Sequence, residues 1–351
     1  MKDYHHYVPL LRLKASELDA LRGLKPETKA RITPLIEVLP NNDEKKTFSK
    51  YIQARLTKLT DTCKDIPFYV DIALLHPTPA EFDLTFKLLE EKFSSGELKY
   101  VPVVTLQTPK AVRDALFRST RKGREIALRI KAPETEEVGF TKAIPDMITA
   151  TSADSTKIHL IVDCDLINNQ APDFKLLASR LPDPTAHARF IFLSGSFPKN
   201  LTGFKLGVSN HARSDWATWK QLFSSKPFKK IPLFGDYTIQ HPLYAAPPKR
   251  SNVSASIRYT TDDHWLILRG ESLSNPKGPK HKQYGAHAAF LIGRPEYCGS
   301  SFSTGDNHIN AVAIERKTTG AVKHPGIPKT WLTVGFSHHM EFVINQLSKI
   351  P

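Results

Sequence analysis

Apolar residues in this chain fall into short, dense runs, and each run ends in polar side chains. The clearest is Lys157 to Ile167, KIHLIVDCDLI, where β-branched and apolar residues stop at two carboxylates, Asp163 and Asp165. Such a run suits a strand buried on both faces, because a parallel sheet is covered by helices on each side. Comparable runs occupy Tyr7 to Leu13, Arg31 to Leu39, Pro67 to Leu75, Tyr100 to Leu106, Glu125 to Ile130, Arg189 to Leu193 and Lys230 to Phe234. Segments of helical spacing separate them: Tyr51, Ile52, Leu56 and Leu59 share one face, as do Phe82, Phe86, Leu89 and Phe93. Ser16 and Gly23 bracket a first helix, and Pro79 opens the one after the third strand. Strands alternating with helices at intervals of about 25 to 40 residues predict an α/β fold, a (β/α)8 TIM-like barrel over residues 1–240. An open doubly wound sheet is the alternative, and no GxGxxG follows any strand.

The rhythm breaks after GDYTIQHPLYAAPPKR, a proline-rich connection. Ala255 to Tyr259 and His264 to Arg269 read as a hairpin about TTDD. A helix from about His281 to Ile292 is expected to serve as the eighth barrel helix, followed by an apolar segment at Trp331 to Gly335 and a terminal helix from about His338 to Leu347. Residues 241–351 are therefore expected to be an α+β extension that completes or covers the barrel within the same domain; a separate domain is the alternative. The stretch SFPKNLTGFKLGVSNHARS reads as a long loop.

Lys and Arg number 49 against 35 Asp and Glu, a formal net charge of +14. A basic surface of that size attracts polyanions, which makes nucleic acid or a nucleotide the expected partner. The charges are spread thinly, with small clusters at Arg118 to Arg124 and Lys226 to Lys230, so a solvated basic surface is the plainer alternative. No apolar stretch has the length of a membrane span and the start lacks the apolar region of a secretory signal, so a cytoplasmic protein with no membrane contact is expected. Three scattered cysteines suggest neither a disulfide framework nor a zinc ribbon.

Side chains at the carboxyl ends of barrel strands converge on one face. That rule brings Lys14, Glu37, Asp71, Arg129, Asp163, Asp165, Ser194 and Asp236 to a single mixed ring. Glu37, Asp71, Asp163 and Asp165 are the candidate catalytic acids; they can act as base or hold a divalent ion, Mg²⁺ or Mn²⁺, while arginine stabilises charge at a phosphorus centre. Paired acids and bases forming a satisfied polar layer explain the same residues without chemistry. In the tail, Arg269, Ser303 and Asp306 are candidates to come over the mouth and complete a phosphate site; helix capping also accounts for Ser303 and Asp306. His338 and His339 are candidate acids or bases, but neighbours on a helix start point about 100° apart and do not share one metal ion.

Several phrases carry a family resemblance: YVPLLRLKASELDAL, ITPLIEV, FGDYTIQHP, IRYTTDDHWLILRG, YCGSSFSTGDNHI and WLTVGFSHHMEFVINQL. Together they resemble the beta protein family of bacteriophages and bacterial genomes, over almost the whole chain. The family's FS-x-GD pattern is matched by Phe302, Ser303, Gly305 and Asp306, with Ile309 after it. Its terminal Asn-His-His-Ile is altered here to Ser337, His338, His339 and Met340. The resemblance implies a setting in phage–host conflict, as anti-phage defence or phage-encoded, and a nuclease-like partner protein.

The leading expectation is a hydrolase of the phosphodiesterase or nuclease type, acting on nucleic acid or a nucleotide. The rival is a recognition module without turnover whose effector is a separate chain. No HExxH, P-loop or GxSxG is present to favour the enzyme. A structural protein with no chemical surface is the third expectation.

Overall fold

In the computed structural model, the described residues are 3–41, 45–75, 78–120, 123–137, 139–151, 154–168, 171–246 and 253–351. Parts of the basic run at 118–124 and of the proline-rich connection fall outside them. In chain order the strands are β1 (Tyr7–Arg12), β2 (Leu35–Glu37), β3 (Phe68–Asp71), β4 (Tyr100–Val104), β5 (Ile126–Lys131), β6 (Ile158–Leu166), β7 (Arg189–Gly195), β8 (Gly207–Ala212), β9 (Leu233–Asp236), β10 (Ser254–Thr260) and β11 (His264–Ser272). Strands β1 to β7 and β9 form a closed, all-parallel barrel, β9 pairing with both β7 and β1. The expected (β/α)8 barrel is what the chain forms.

Alternation along each strand divides the barrel in two layers. Val8, Leu10, Leu35, Tyr69, Ile161 and Ile191 fill the interior, and the intervening residues, such as Tyr7, Leu11, Ile36 and Val162, face the helices. Those helices are α1 (Ala15–Arg22), the short α2 (Pro26–Lys29), α3 (Phe48–Cys63), α4 (Pro79–Ser94), α5 (Lys110–Thr120), α6 (Phe140–Thr151), α7 (Phe174–Arg180) and α8 (Ser214–Ser225). Thr78 opens α4 with a reciprocal cap, its hydroxyl accepting from the Glu81 N–H while the Glu81 carboxylate accepts from the Thr78 N–H. The predicted third strand is shorter than its apolar run because the Asp71 carboxylate accepts the Ala73 N–H at 2.9 Å and turns the chain into a 3₁₀ helix, Ala73–Leu75.

The remaining elements are α9 (Gln283–Leu291), α10 (Thr304–Thr319) and α11 (Pro328–Ser348). The expected hairpin is present as β10 and β11, but β8 joins it as a third antiparallel strand. This stretch lacks apolar alternation and its strand character comes from pairing with β11 in the tail. The eighth barrel helix is α11 and not the helix near His281: Phe336, Met340, Val343 and Leu347 pack in the barrel core with Tyr7, Leu18 and Leu21. Helix α9 lies instead in a second core with Ile257, Tyr259, Leu268 and Val312. Trp331 and Val334, at the start of α11, belong to that second core, so one unbroken helix ties both together.

Helices α10 and α11 approach closely at Gly305, where an added Cβ would run into the carbonyl group of Val334. A Gly305→Ala variant is expected to lose about 1–3 kcal/mol, because α11 is held on both sides and the backbone cannot withdraw freely. Chemical denaturation measures it, and a change within about 0.5 kcal/mol would show that the helices part without strain.

Candidate active site at the mouth of the barrel

Strand parity selects which rim residues look inward. Arg12 follows Val8 and Leu10, Glu37 follows Leu35, Asp71 follows Tyr69, Arg129 follows Ala127, and Asp163 follows Ile161, each two residues beyond an interior side chain. All five are buried and meet on Arg129 or Glu37. Arg129 Nε and Nη2 donate to Asp163 Oδ2 at 3.0 and 2.7 Å, Nη1 donates to Glu37 Oε1 at 3.0 Å and Asp71 Oδ2 at 2.6 Å, and Nη2 also reaches the Tyr237 hydroxyl at 2.9 Å. The five donors of the guanidinium are thus matched by five contacts. Tyr237 donates in turn to Asp163, 2.7 Å from Oδ2.

Asp165 reaches the rim through a break in regular pairing. Its φ is 48°, the β6–β7 register shifts between Asp163 and Leu166, and its N–H donates to Asp163 Oδ1 at 2.9 Å. A bulge of this kind re-aims a side chain at a strand end, and the Asp165 carboxylate pairs with Lys131 Nζ at 2.9 Å. Arg12 connects the floor to the loop after β9: Nε donates to Glu37 at 3.4 Å, Nη1 to Gln240 at 3.3 Å, and Nη2 to the carbonyls of His241 and Pro242 at 3.0 and 2.5 Å.

Above this floor is a cavity of about 590 Å³. Glu37, Asp71, Arg129 and Tyr237 form its base, Ile72, Leu74, Phe82, Val103 and Leu166 its apolar walls, and Lys131, Glu134, Asp165 and the 241–244 loop its rim. Burial pushes the Glu37 carboxyl above its ordinary range; Arg129 opposes that shift, Asp71 adds to it and Arg12 opposes it. Burial would lower the Arg129 pKa, but Asp163, Tyr237, Glu37 and Asp71 hold it well above the usual value, so it stays charged. Burial, reinforced by Asp163, also keeps Tyr237 protonated as a donor. Among the described residues, no group of three or more His, Cys, Asp or Glu side chains is arranged to hold a metal ion. The Arg129 guanidinium lies between the floor carboxylates where a shared cation would sit.

The family model described as Beta protein matches residues 7–345. The chain belongs to the Beta protein family. No curated protein matches it in sequence. An X-ray crystal structure of the YdjI aldolase from Escherichia coli K12 matches with 8% sequence identity and a TM-score of 0.35, over 67% of this chain and 75% of that one.

The phrases that mark the chain as a Beta protein serve two different places. ITPLIEV and FGDYTIQHP supply Glu37, Tyr237, His241 and Pro242 to the mouth. FSTGD and the two adjacent histidines lie instead between the extension and the outer face of the barrel. Ser303 caps α10, its hydroxyl accepting the Asp306 N–H at 3.0 Å and donating to Asp306 Oδ2. Asp306 also accepts from Tyr259 at 2.7 Å and pairs with His338 Nδ1 at 2.8 Å. His339 bonds Asp236 Oδ2 at 2.9 Å and Thr260 at 2.8 Å. Both histidines are fully buried in the middle of α11, not at a helix start. Ser337 accepts the Gly305 N–H at 3.2 Å and so caps α10 from the neighbouring helix.

The expected ring is therefore divided. Glu37, Asp71, Arg129 and Asp165 line the cavity, and Asp163 lies beneath them with 0% exposure. Lys14 is half-buried beside the mouth loop, its Nζ 5.5 Å from the Tyr244 ring centre. Ser194 and Asp236 have the opposite parity, and Asp236 faces Tyr7 and His339 behind the barrel wall. Arg269 donates to the Phe204 carbonyl and does not line the cavity, nor do Ser303 and Asp306. Arg12, Tyr237 and Lys131 were not among the expected site residues. Counting two positions on from the last interior apolar residue finds the first two, since Arg12 continues from Leu10 and Tyr237 follows Leu233 and Gly235.

Proposed function

We propose that the barrel mouth binds and hydrolyses a phosphate-bearing ligand of nucleotide size. The observation that carries this reading is the pair Glu37 and Asp71, which share one nitrogen of Arg129 at the base of an apolar-walled cavity. Burial, with Asp71 adding to it against Arg129 and Arg12, raises the pKa of Glu37, which therefore holds a proton more readily than a free carboxyl. A water at the floor attacks the bond that is cleaved, Asp71 takes the water's proton, and Glu37 gives its own proton to the leaving group, so hydrolysis leaves the two carboxyls with their protons exchanged. Asp71 is its partner, and Asp163 and Arg129 are positioning residues.

A cavity of about 590 Å³ suits a nucleotide or one extruded base better than a duplex. Arg129 has no donor left for phosphate, so the bond that is cleaved and the hydroxyl or amino groups beside it meet the acidic floor, and the ligand's phosphate meets Lys131 at the rim. Phage–host conflict is the setting this reading assumes. The saturated floor favours one second reading, a recognition module whose effector is a nuclease-like partner chain.

A panel of nucleotides and short single strands, incubated with and without divalent ions, tests both. Glu37→Gln is expected to lower turnover by about 10²–10⁴-fold and to remove the pH dependence that Glu37 contributes. Saturable binding with no turnover would establish the recognition module. Equal turnover by the variant and the wild type would remove Glu37 from the chemistry.

A further inference from the structure

The barrel has a second opening, at the end where the strands begin. There His6, Arg189, Lys230 and Asp3, with Phe190 and Leu233, line a cavity of about 160 Å³. Arg189 opens β7 with the inward parity of Ile191, and its Nη1 donates to the Thr33 hydroxyl at 3.0 Å. Thr33 is 3% exposed, and the same hydroxyl lies 2.7 Å from His6 Nε2. Lys230 Nζ donates to the carbonyls of His187 and Ala188 at 2.9 and 3.1 Å, which leaves one of its three donors. Arg31, close behind, donates to the His5 carbonyl at 3.0 Å.

Among the described residues, neither arginine forms an ion pair with a carboxylate, and nor does Lys230. The nearest glutamate, Glu125, is turned to His159 at 3.6 Å, and Asp3 is the one carboxylate on the cavity wall. Cations drawn together in a half-buried recess repel one another; the Glu125 carboxylate, which interacts with Arg189, and Asp3 offset part of that cost, and a bound anion would offset more. Burial, with Arg189 and Arg31 next, lowers the His6 pKa to about 3, so this ring remains neutral and able to donate or accept a hydrogen bond.

From this geometry we infer that the base of the barrel is a binding site for a small tetrahedral oxyanion, phosphate or sulfate, held by Arg189 and Lys230 with His6 beside them. The recess is below the roughly 300–1,000 Å³ of sites for drug-sized ligands, which excludes a whole nucleotide but admits a free ion or a terminal phosphate. The site is separate from the mouth and needs none of its residues.

The test is titration of the full chain with inorganic phosphate and with sulfate at constant ionic strength, followed by calorimetry. A 5′-phosphorylated oligonucleotide and its unphosphorylated form distinguish a phosphate terminus from the free ion. Saturable binding is expected, weakened about tenfold or more by Arg189→Gln and by Lys230→Gln, since each removes a charge-assisted contact. Lys230→Gln, at a half-exposed position, keeps the test open if Arg189→Gln does not fold. Glu37→Gln is expected to leave phosphate binding at this site unchanged. Absence of saturable binding, or binding of undiminished strength in Lys230→Gln, would overturn the basal site; phosphate bound only at the mouth would survive Lys230→Gln and be weakened in Lys131→Gln.

Discussion

Arg129→Met is expected to destabilise the protein by about 3–5 kcal/mol near pH 8, with the loss shrinking as the pH falls toward about 5. The reason is the floor of the mouth. Removing the guanidinium leaves Glu37, Asp71 and Asp163 buried together with Arg12 as the remaining arginine, 3.4 Å from Glu37. Methionine fills much of the volume, so the loss is electrostatic more than steric. In the variant Glu37, whose pKa burial already raises, loses the Arg129 charge that opposes that shift; its folded pKa then stands further above the unfolded one, and stability falls as pH rises through that window. Urea unfolding at the two pH values measures this. A loss that is the same at both, or below about 1 kcal/mol near pH 8, would mean that the carboxylates find other partners.

Asp306→Ala is expected to cost about 3–5 kcal/mol near pH 7, because it orphans the buried donors of Tyr259 and His338 and removes the cap partner of Ser303. Burial alone would raise the Asp306 pKa, but His338, Ser303 and Tyr259 outweigh it and hold the carboxyl below its ordinary value. A depressed folded pKa stabilises above the unfolded value of about 3.9, and that contribution is lost as pH falls through the folded pKa. The gap between variant and wild type should therefore narrow below about pH 4. Denaturant midpoints on either side of that value check it; a gap that widened in acid would contradict the sign.

The barrel was legible because a strand buried on both faces leaves a run of apolar residues that little else in a soluble domain requires, and helices of clear spacing separated the runs. The acid and arginine floor was legible for the same reason, as polar residues ending such runs. What was lost was parity. Ser194 and Asp236 sit next to interior-facing positions and not on them, and a shift of one residue sends a side chain to the other face. The tail was harder. WLTVGFSHHM contains β-branched residues and a glycine and resembles a strand followed by a cap, yet tertiary packing of Trp331, Val334, Met340 and Leu347 makes it one helix. GVSNHA becomes a strand by virtue of a partner more than fifty residues further along the chain, a pairing that no local pattern encodes.

Helix α11 seals the barrel against α1 and β1, the elements that open it. Contacts this distant in sequence close slowly, since the chain must lose loop entropy before they return anything. During synthesis the apolar face carrying Leu18 and Leu21 has to wait for residues beyond Pro328 to be made. A nascent chain halted earlier exposes a greasy seam along β1, and that interval is where a holding chaperone would be needed.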